Sequence, residues 1–490
     1  MRRKIIKCFL FIIILGVLWG SIGNVTKRSS DTKWEHSGLK YCYKYPESYN
    51  VIISGTSMAV MNISCEELYI NYGISAVTLG EPMQATFLSY YTLEEALKTQ
   101  HPEIVLFDIR SLFYSEEKIA GDVYSNEFEY VHYSLDPMKN NLTKYNAVKA
   151  LKTFKKDVDY WDYFSEMYFN HSNWENLSKD NFVIPKVDNI IDGNYMSLDI
   201  ASMPERNIEV CNIENTGSIK EIPECNRKYL EKIIELCKRK NIKLILINGC
   251  NESEWDWSIY NSMHQIAEKY NIPYLDMNVY ESEMQFNWTS DLADGVHKNV
   301  SGAKKMTDYL GEYLIQNYKF EQKLPKDNYF EKNKEKYLNY LCAMNTKIEL
   351  SKQSTVEESL EKAFDIMEDR YIVGIFANIG TLPKLSDNAK QILFQKTEKF
   401  SDLTDSCYLG IADNKDFIVD LNIKDTIEET GKTMDNLEYK ISVKKENDNF
   451  QCNIQLGQEI WNNDDENFYI IVYDKYIDTL LYEKYFELNS

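Results

Sequence analysis

The sequence is poor in basic residues, in histidine and in closely spaced cysteines. Its 490 residues include 55 Lys and Arg against 76 Asp and Glu, which gives a net charge of −21. Because an acidic surface repels phosphate backbones, nucleic acid is not an expected partner. The ten cysteines lie too far apart for the CxxC pairs of zinc sites or for a dense disulfide framework. No metal or other cofactor is expected.

Internal repeats and low-complexity tracts are also lacking. What the chain has is 44% apolar and 13% aromatic residues, enough to fill buried cores and inconsistent with wholesale disorder. At roughly 100 to 200 residues per domain, the length predicts two or three folded units.

One long apolar run lies at the N-terminus. Residues 8–26 contain no charged side chain, and four basic residues precede them within the first seven positions. About 20 apolar residues span a bilayer, and the basic excess ahead of the run predicts a cytoplasmic N-terminus. A signal peptide cleaved near Gly23 is the alternative. The protein is therefore expected either as a single-pass cell-membrane protein with an extracytoplasmic catalytic domain or as a secreted protein.

Short aliphatic runs alternate with helical patterns from position 49 onward. This alternation predicts a parallel sheet with helices on both faces, so the expected fold class is α/β. In such sheets, ligands bind beyond the carboxyl ends of the strands. The predicted strands are residues 51–54, 75–79, 103–109, 242–248 and 272–278, and the predicted helices are residues 65–72, 93–99, 226–241 and 262–271.

The pattern changes after a charged stretch around Pro325. The next elements predict a separate α+β or β-sandwich unit, with helices at 355–368 and 387–400 and strands at 371–378, 406–412, 437–444, 449–455 and 467–473. The expected plan is a signal anchor or signal peptide (1–30), a catalytic domain (31–324), a linker or connecting helix (325–344) and a C-terminal domain (345–490).

Ser57 is the candidate nucleophile. It follows Gly55 and Thr56 directly behind the first predicted strand, where the chain leaves the sheet and a side chain can face the crevice. A serine after a glycine at a strand end is also an ordinary turn former or helix cap.

Asp294 and His297 are the candidate partners of this serine. They lie three residues apart, just before a predicted helix for which Ser301 is the expected cap. On a tight turn this spacing lets Asp294 accept a hydrogen bond from Nδ1 of His297. Nε2 is then free to take the proton of a nucleophilic serine.

These residues resemble the motifs of the SGNH, or GDSL-type, hydrolase superfamily. Its first block is a strand followed by a tripeptide that ends in the nucleophile, as at Ser57, and its last block is D-x-x-H, as at Asp294 and His297. Residues 40–320 are most similar to a membrane-anchored branch related to the DltD proteins of teichoic acid D-alanylation and to the alginate acetylation proteins. The resemblance implies an SGNH-like, flavodoxin-like sheet and an acyl-serine intermediate.

The resemblance also implies donors for the oxyanion. The glycine of the family's second block falls on Gly80, whose N–H is an expected donor. The third block, G-x-N, should fall near residues 108–111, where no Asn is present. The side chain of Gln84 and Asn251, which follows a later strand, are the alternatives. Loss of one oxyanion donor costs on the order of 100-fold in rate.

Residues 345–490 resemble an interleukin-like EMT inducer domain of the ILEI/PANDER type, in the runs 356–393, 406–417 and 467–488. The resemblance implies a carbohydrate-contacting β-sandwich. Aromatic side chains expected on exposed strand faces, where they could stack on sugar rings, are Tyr469, Tyr473, Tyr476 and Tyr482. An appended stabilising or partner-docking domain is the alternative.

The predicted function is that of an exported serine esterase or O-acyltransferase acting on a cell-envelope polysaccharide or teichoic acid. A multi-span membrane acyltransferase is a candidate partner. The alternative is a non-catalytic glycan-binding or scaffold protein of an acylation machine, on a decayed hydrolase fold. The presence of Ser57, His297 and Asp294 together favours the enzyme, because a decayed site usually loses one of the three.

Overall fold

A computed structural model describes residues 2–26, 37–120, 130–182, 189–201, 214–250, 255–323, 328–367, 369–400, 403, 405–446, 449–463 and 468–488. The chain divides into two compact units, Met1–Tyr337 and Leu338–Ser490.

The first unit contains a five-stranded parallel sheet and a small hairpin. Its strands are β1 (Val51–Ser54), β2 (Ala76–Thr78), β3 (Ile104–Asp108), β4 (Ile190–Ile191), β5 (Asn194–Tyr195), β6 (Lys243–Asn248) and β7 (Tyr274–Asp276). Its helices are α1 (Arg2–Val25), α2 (Gly38–Lys44), α3 (Ser57–Met61), α4 (Cys65–Tyr72), α5 (Thr86–Ala96), α6 (Glu116–Ala120), α7 (Val131–Leu135), α8 (Leu142–Phe154), α9 (Tyr160–Phe164), α10 (Glu166–Asn170), α11 (Glu224–Lys240), α12 (Trp257–Tyr270) and α13 (Val300–Asn317). The division between the units falls within α14 (Tyr329–Ser351), in the stretch expected to be a linker or connecting helix.

The main sheet has the strand order β2-β1-β3-β6-β7, and all neighbouring strands in it are parallel. The direction of winding reverses between β1 and β3. In doubly wound sheets the ligand crevice opens at such a switch point, outside the carboxyl ends of the strands. The predicted parallel sheet is confirmed, and its switch point lies between β1 and β3.

Helices cover both faces of this sheet. Ile52 of β1 belongs to one core cluster with side chains of α5, α8 and α11, whereas Val51 and Ile53 belong to a second cluster with side chains of α4 and α13. Because successive side chains of a strand point to opposite faces, a sheet covered on both sides needs apolar residues at every position. The uninterrupted apolar runs in the sequence follow from this burial.

The helix α11 illustrates how the sequence sets an element of this layer. Its buried residues Leu230, Ile233, Ile234 and Cys237 recur at spacings of three and four, which places them on one face. Asn241 ends the helix in the left-handed conformation, with a φ of 57°, and its N–H bonds back to the last turn. The helix therefore ends where the next strand, β6, must begin.

The helix α1 is strongly apolar. Its segment Lys4–Gly23 has a mean hydropathy of 2.5 and is long enough to cross a bilayer, and none of that window is buried within the protein. The segment is compatible with either a signal anchor or a signal peptide.

The second unit is built from two antiparallel sheets. The strands are β8 (Tyr371–Ala377), β9 (Cys407–Asp413), β10 (Asp416–Ile423), β11 (Ile427–Lys432), β12 (Glu438–Glu446), β13 (Asn449–Leu456), β14 (Glu459–Asn463), β15 (Phe468–Asp474) and β16 (Thr479–Phe486), and the helices are α15 (Val356–Asp365), α16 (Thr381–Lys384) and α17 (Asp387–Lys396). One sheet has the order β10-β9-β8-β15-β16 and the other β11-β12-β13-β14. Both contribute to one core, for example Phe376 and Ile471 from the first and Ile441 and Trp461 from the second.

Candidate active site

Ser57 begins α3 directly behind the carboxyl end of β1. Gly55 makes the connection with a φ of 150°, which favours glycine. A Cβ at this position would lie 2.5 Å from Cβ of Asp108. Only glycine lets the chain turn this closely against β3, and the turn presents the partly exposed Ser57 at the edge of the sheet.

The carboxylate of Asp108 fixes this turn from the neighbouring strand. Its Oδ2 accepts hydrogen bonds from the backbone N–H of Thr56 at 3.1 Å and from the Thr56 hydroxyl at 2.7 Å. Thr56 Oγ1 also accepts from the N–H of Met58 at 3.2 Å and so caps α3. Burial raises the pKa of Asp108, against the opposing effect of these hydrogen bonds. The backbone at Ser57 is thus held by β3 as well as by β1.

The imidazole of His297 bridges Ser57 and Asp294. Its Nε2 lies 2.7 Å from Ser57 Oγ, and its Nδ1 lies 2.8 Å from Asp294 Oδ2. An ionised carboxylate can only accept hydrogen bonds, so Nδ1 carries the proton and Nε2 accepts from the serine hydroxyl. The structure therefore brings together the three side chains that the sequence singled out, across a separation of 240 positions between serine and histidine.

The turn around Asp294 keeps its carboxylate ionised. Oδ1 accepts hydrogen bonds from the backbone N–H groups of Val296 and His297, each at 2.8 Å. Partial burial favours a higher pKa, but the hydrogen bonds from the His297 ring and from these two N–H groups outweigh it. They hold the pKa of Asp294 well below its ordinary value. An ionised Asp294 is what orients the His297 ring with Nε2 toward Ser57.

A buried lysine anchors the segment that carries His297. Lys298 is fully buried, and its Nζ donates to the carbonyl oxygens of Cys250 at 2.5 Å and Val296 at 3.0 Å. Burial lowers the pKa of Lys298 to about 8. Because Cys250 follows the end of β6, this contact ties the histidine segment to the sheet.

The helix cap next to this segment differs from the expected one. The side chain of Asn299 accepts from the N–H groups of Ser301 and Gly302, each at 3.1 Å, and so caps α13. Ser301 is already inside the helix, where its hydroxyl donates to Asp291. The expectation for Ser301 was therefore wrong, because the helix begins at Val300 and only Asn299 stands in the cap position.

Gly80 packs against the turn that carries Ser57, but its backbone N–H already donates a hydrogen bond within the protein. A Cβ at Gly80 would lie 2.8 Å from Cβ of Ala59 and from the carbonyl oxygen of Thr56, so a glycine is needed for this approach. The N–H donates to Thr78 Oγ1 at 3.2 Å. To bind an oxyanion, the Gly80 N–H must leave this hydroxyl.

Gln84 is committed to the core. Its Nε2 donates to the carbonyl oxygen of Leu79 at 3.1 Å and to Ser134 Oγ at 3.0 Å, and the side chain is completely buried. The expectation that Gln84 serves as an oxyanion donor is corrected by these contacts, which use both amide hydrogens. Asn251, the other alternative, lies outside the described residues.

A polar cleft opens at the carboxyl ends of β3 and β6, next to the strand that carries Ser57. It has a volume of about 350 Å³. Its lining includes Arg110, Phe113, Tyr114, Lys118, Lys220, Asn248, Trp255 and Asp256. Trp255 is held by Asp276, the last residue of β7, which accepts from the indole N–H at 2.9 Å. The cleft thus combines three cations with three aromatic rings at the edge of the sheet.

The cleft residues were not recognised in the sequence. Arg110 lies within residues 108–111, where the third-block Asn of the family was expected. A basic residue directly behind a buried strand is the sequence signal that could have indicated the cleft. Trp255 gave no comparable signal, because its position depends on a hydrogen bond across the sheet edge to Asp276.

The expectation of exposed aromatic strand faces in the second unit was wrong. Tyr469, Tyr473 and Tyr482 are buried, and of the four tyrosines named only Tyr476 is exposed. The strand β15 lies between β8 and β16 and every residue in it is buried, so alternation does not bring one side to solvent.

A polar row crosses the four-stranded sheet instead. Glu428, Ser442, Asn453 and Asn462 are successive partners on β11, β12, β13 and β14. They line a depression of about 300 Å³ together with Lys440, Lys444 and Gln455.

Within the described residues, no three His, Cys, Asp or Glu side chains are grouped closely enough to hold a metal ion. In comparisons with known proteins, no family model matches the chain and no curated protein matches it. The resemblances to SGNH hydrolases and EMT inducer domains are therefore carried by the quoted motifs, and the function is argued from the geometry of the site.

Proposed function

We propose that the first unit is an SGNH-type serine esterase or O-acyltransferase. The observation that carries the proposal is the continuous hydrogen-bonded chain from Asp294 through His297 to Ser57. Support also comes from the strand order, which is the flavodoxin-like order 2-1-3-4-5 when the five strands are renumbered. The nucleophile follows the first of these strands, at the switch point of the sheet.

In the first half-reaction, Ser57 Oγ attacks the acyl carbon of an ester while His297 Nε2 takes the serine proton. The oxygen of the acyl group becomes an oxyanion. The N–H of Ser57 is positioned next to this oxygen by the chain itself, and the N–H of Gly80 joins it after release from Thr78. Collapse of the tetrahedral intermediate breaks the ester bond, and the leaving alcohol takes the proton from His297. The product is an acyl-serine.

In the second half-reaction, water or a sugar hydroxyl attacks the acyl-serine. His297 takes the proton of the incoming hydroxyl and returns it to Ser57 as the acyl–oxygen bond breaks. Attack by water completes ester hydrolysis, whereas attack by a sugar hydroxyl completes acyl transfer. The triad serves both outcomes equally, so the acceptor that reaches the acyl-serine decides between them.

The proposed substrate is a cell-envelope polysaccharide or a teichoic acid. The apolar helix α1 supports export to the cell surface, as a membrane anchor or as a signal peptide. In the cleft at the carboxyl ends of β3 and β6, Arg110, Lys118 and Lys220 suit the anionic groups of such polymers. A multi-span membrane acyltransferase is the proposed source of the acyl group.

For the second unit we favour a glycan-contacting role of the ILEI/PANDER type. The support is the polar row across β11 to β14, since three of the four tyrosines expected to stack on sugars are buried. Binding of a polymer by this unit would raise the local concentration of substrate for the first unit.

Acylation of Ser57 tests the enzymatic proposal. An aryl acetate should release its phenol in a burst, and the peptide that contains Ser57 should gain the mass of one acetyl group. Ser57→Ala should lose both signals, whereas Ser282→Ala, which removes an exposed hydroxyl of the same unit, should behave like the parent. If Ser57→Ala turns over the aryl acetate as fast as the parent, the site is not catalytic and the glycan-binding alternative holds.

A further inference from the structure

A cluster of large apolar side chains is exposed on one segment of the first unit. We call it the aromatic face, and it consists of Trp161, Tyr168, Trp174, Leu177 and Phe182. Trp161 and Trp174 are each 65% exposed and Phe182 is 69% exposed. Soluble proteins rarely group so much exposed apolar surface unless it contacts a partner or a membrane.

The aromatic face is attached to the carboxyl-terminal end of α1. Trp19 donates its indole N–H to Ser165 Oγ at 3.3 Å, and Asn173 donates to the carbonyl oxygen of Thr26 at 2.7 Å. Gly23 is packed so closely that a Cβ there would lie 3.2 Å from the backbone nitrogen of Met167. The two hydrogen bonds and this close packing fix residues 160–182 at the level of residues 19–26.

An apolar groove lies along this attachment. It has a volume of about 660 Å³ and is lined by Trp19, Gly20 and Gly23 from α1, by Trp161, Phe164, Met167 and Tyr168 from α9 and α10, and by the polar residues Ser165 and Glu166. The lining is mainly apolar, so water gains few hydrogen bonds in it. Such a groove suits hydrocarbon or the apolar part of a lipid headgroup region.

The depth of this region follows from the length of α1. The segment Lys4–Gly23 has 20 residues, which at 1.5 Å per residue span about 30 Å, the thickness of the hydrocarbon core. Because basic residues precede the segment, residues 19–26 are at the outer boundary of the bilayer. Side chains held beside them lie at the same depth, where tryptophan and tyrosine are enriched in membrane proteins.

We propose that the aromatic face lies in the outer interfacial layer of the bilayer, as a second membrane contact beside α1. The inference rests on the proposed anchoring by α1 but not on the proposed catalysis. Among residues 159–179, the exposed charged side chains are mostly acidic, with Asp159, Glu166 and Glu175 against Lys179. The contact is therefore apolar insertion, and it does not require anionic lipids.

The test uses the full chain inserted in phosphatidylcholine nanodiscs whose acyl chains carry bromine, which quenches the emission of nearby tryptophans. The chain has 8 tryptophans. Trp161→Tyr with Trp174→Tyr should lower the quenched fraction of the emission by about half, because both rings are at interfacial depth. Trp461→Phe is the matched control. It removes a ring buried in the second unit, so the quenched fraction should rise slightly.

The possible results test the membrane contact of the aromatic face separately from anchoring by α1 and from the proposed enzyme activity. If the chain is inserted but the double variant has an unchanged quenched fraction, the face is not in the bilayer, and the proposal is overturned. The same holds if aqueous iodide quenches Trp161 and Trp174 in the nanodisc, as expected for a face reserved for a protein partner. A chain that does not enter nanodiscs overturns both the anchor and the face. Ser57→Ala should match the parent throughout.

Discussion

The buried carboxylates of the two units have different surroundings. In the second unit, Asp474 accepts a hydrogen bond from Arg370 at 2.7 Å, and Asp413 lies 2.8 Å from Nζ of Lys475. Both aspartates are completely buried. Each is neutralised by a cation inside the fold, which is the arrangement of a structural ion pair.

In the first unit, three buried carboxyl groups lie at or just behind the carboxyl edge of the parallel sheet. Asp108 ends β3, Asp276 ends β7 and Glu81 follows the end of β2. Asp108 and Asp276 accept hydrogen bonds from neutral donors, namely Thr56 to the first and Trp255 to the second. Burial raises the pKa of all three carboxyl groups, that of Glu81 to about 8.

This difference indicates where the protein can do chemistry. A buried carboxyl without a counter-charge costs folding free energy, and groups with displaced pKa values concentrate at functional sites. In the first unit, Asp108, Asp276 and Glu81 place part of that cost along the edge where Ser57 is presented. In the second unit burial also raises the pKa of Asp474, but Asp474 is paired with Arg370 and Asp413 with Lys475, so these carboxylates serve stability. Substitutions should therefore affect activity in one unit and stability in the other.

The largest effect is expected for Asp294→Asn. The amide no longer fixes the tautomer and orientation of His297, so turnover of an aryl acetate should fall on the order of 1000-fold or more. The melting temperature should change little, because 55% of the Asp294 side chain is exposed. Asp308→Asn, which breaks a surface ion pair with Lys304, is the control and should retain activity. Turnover by Asp294→Asn within tenfold of the parent would remove Asp294 from the proposed mechanism.

The converse effect is expected for Arg370→Met in the second unit. The substitution leaves Asp474 buried without its cation, which should destabilise the unit by about 3 to 5 kcal/mol. Urea unfolding followed by hydrogen exchange in β8 and β15 measures this loss. Adding Asp474→Asn should recover much of it, while aryl acetate turnover stays at the parent level in both variants. A loss of turnover in the folded variants would contradict the division between the units.

Much of the first unit could be predicted from the sequence because its signals are local. Apolar runs predicted the five strands of the parallel sheet, and helical spacing predicted α4 and α11. The serine behind the first strand and the D-x-x-H motif identified Ser57, Asp294 and His297 as candidates. These signals need only the period of an element and the rule that parallel strands end at one edge.

The remainder depended on contacts that no local pattern contains. Gln84 has the chemistry of an oxyanion donor, but its partners Leu79 and Ser134 are set by the tertiary fold. Tyr473 is buried because β15 is an interior strand with a buried residue at every position. In the second unit, the strands β10, β11, β14 and β16 were not predicted, and in β11 and β14 few residues are apolar.

The pH dependence of stability offers a smaller but specific test through Glu81. Below pH 4.5, its ordinary pKa, the carboxyl is protonated in both states. Between pH 4.5 and about 8 the unfolded chain loses this proton while the folded protein keeps it, so stability falls as pH rises. Above pH 8 no further change arises from this group. Glu81→Gln should therefore be more stable than the parent at pH 9 by a few kcal/mol, and similar to it at pH 4.

Melting temperatures of parent and Glu81→Gln, taken between pH 4 and pH 9, measure this effect. Asp413→Asn is the control in the second unit. It removes a carboxylate that has a cation partner, so it should lower stability across the whole range. If Glu81→Gln and the parent keep a constant difference from pH 5 to pH 9, Glu81 does not hold its proton in the fold.

The smallest effects come from two helix caps, and their comparison is the most direct test of the difference between the units. Thr355 caps α15 in a capping box with Glu358, and Thr56 caps α3 next to Ser57. Replacing either threonine by alanine should cost about 1 to 2 kcal/mol. Thr355→Ala should leave aryl acetate turnover unchanged. Thr56→Ala should lower it, because the hydroxyl also binds Asp108 and so sets the backbone of the nucleophile. Equal turnover in the two variants would mean that β1 alone positions Ser57.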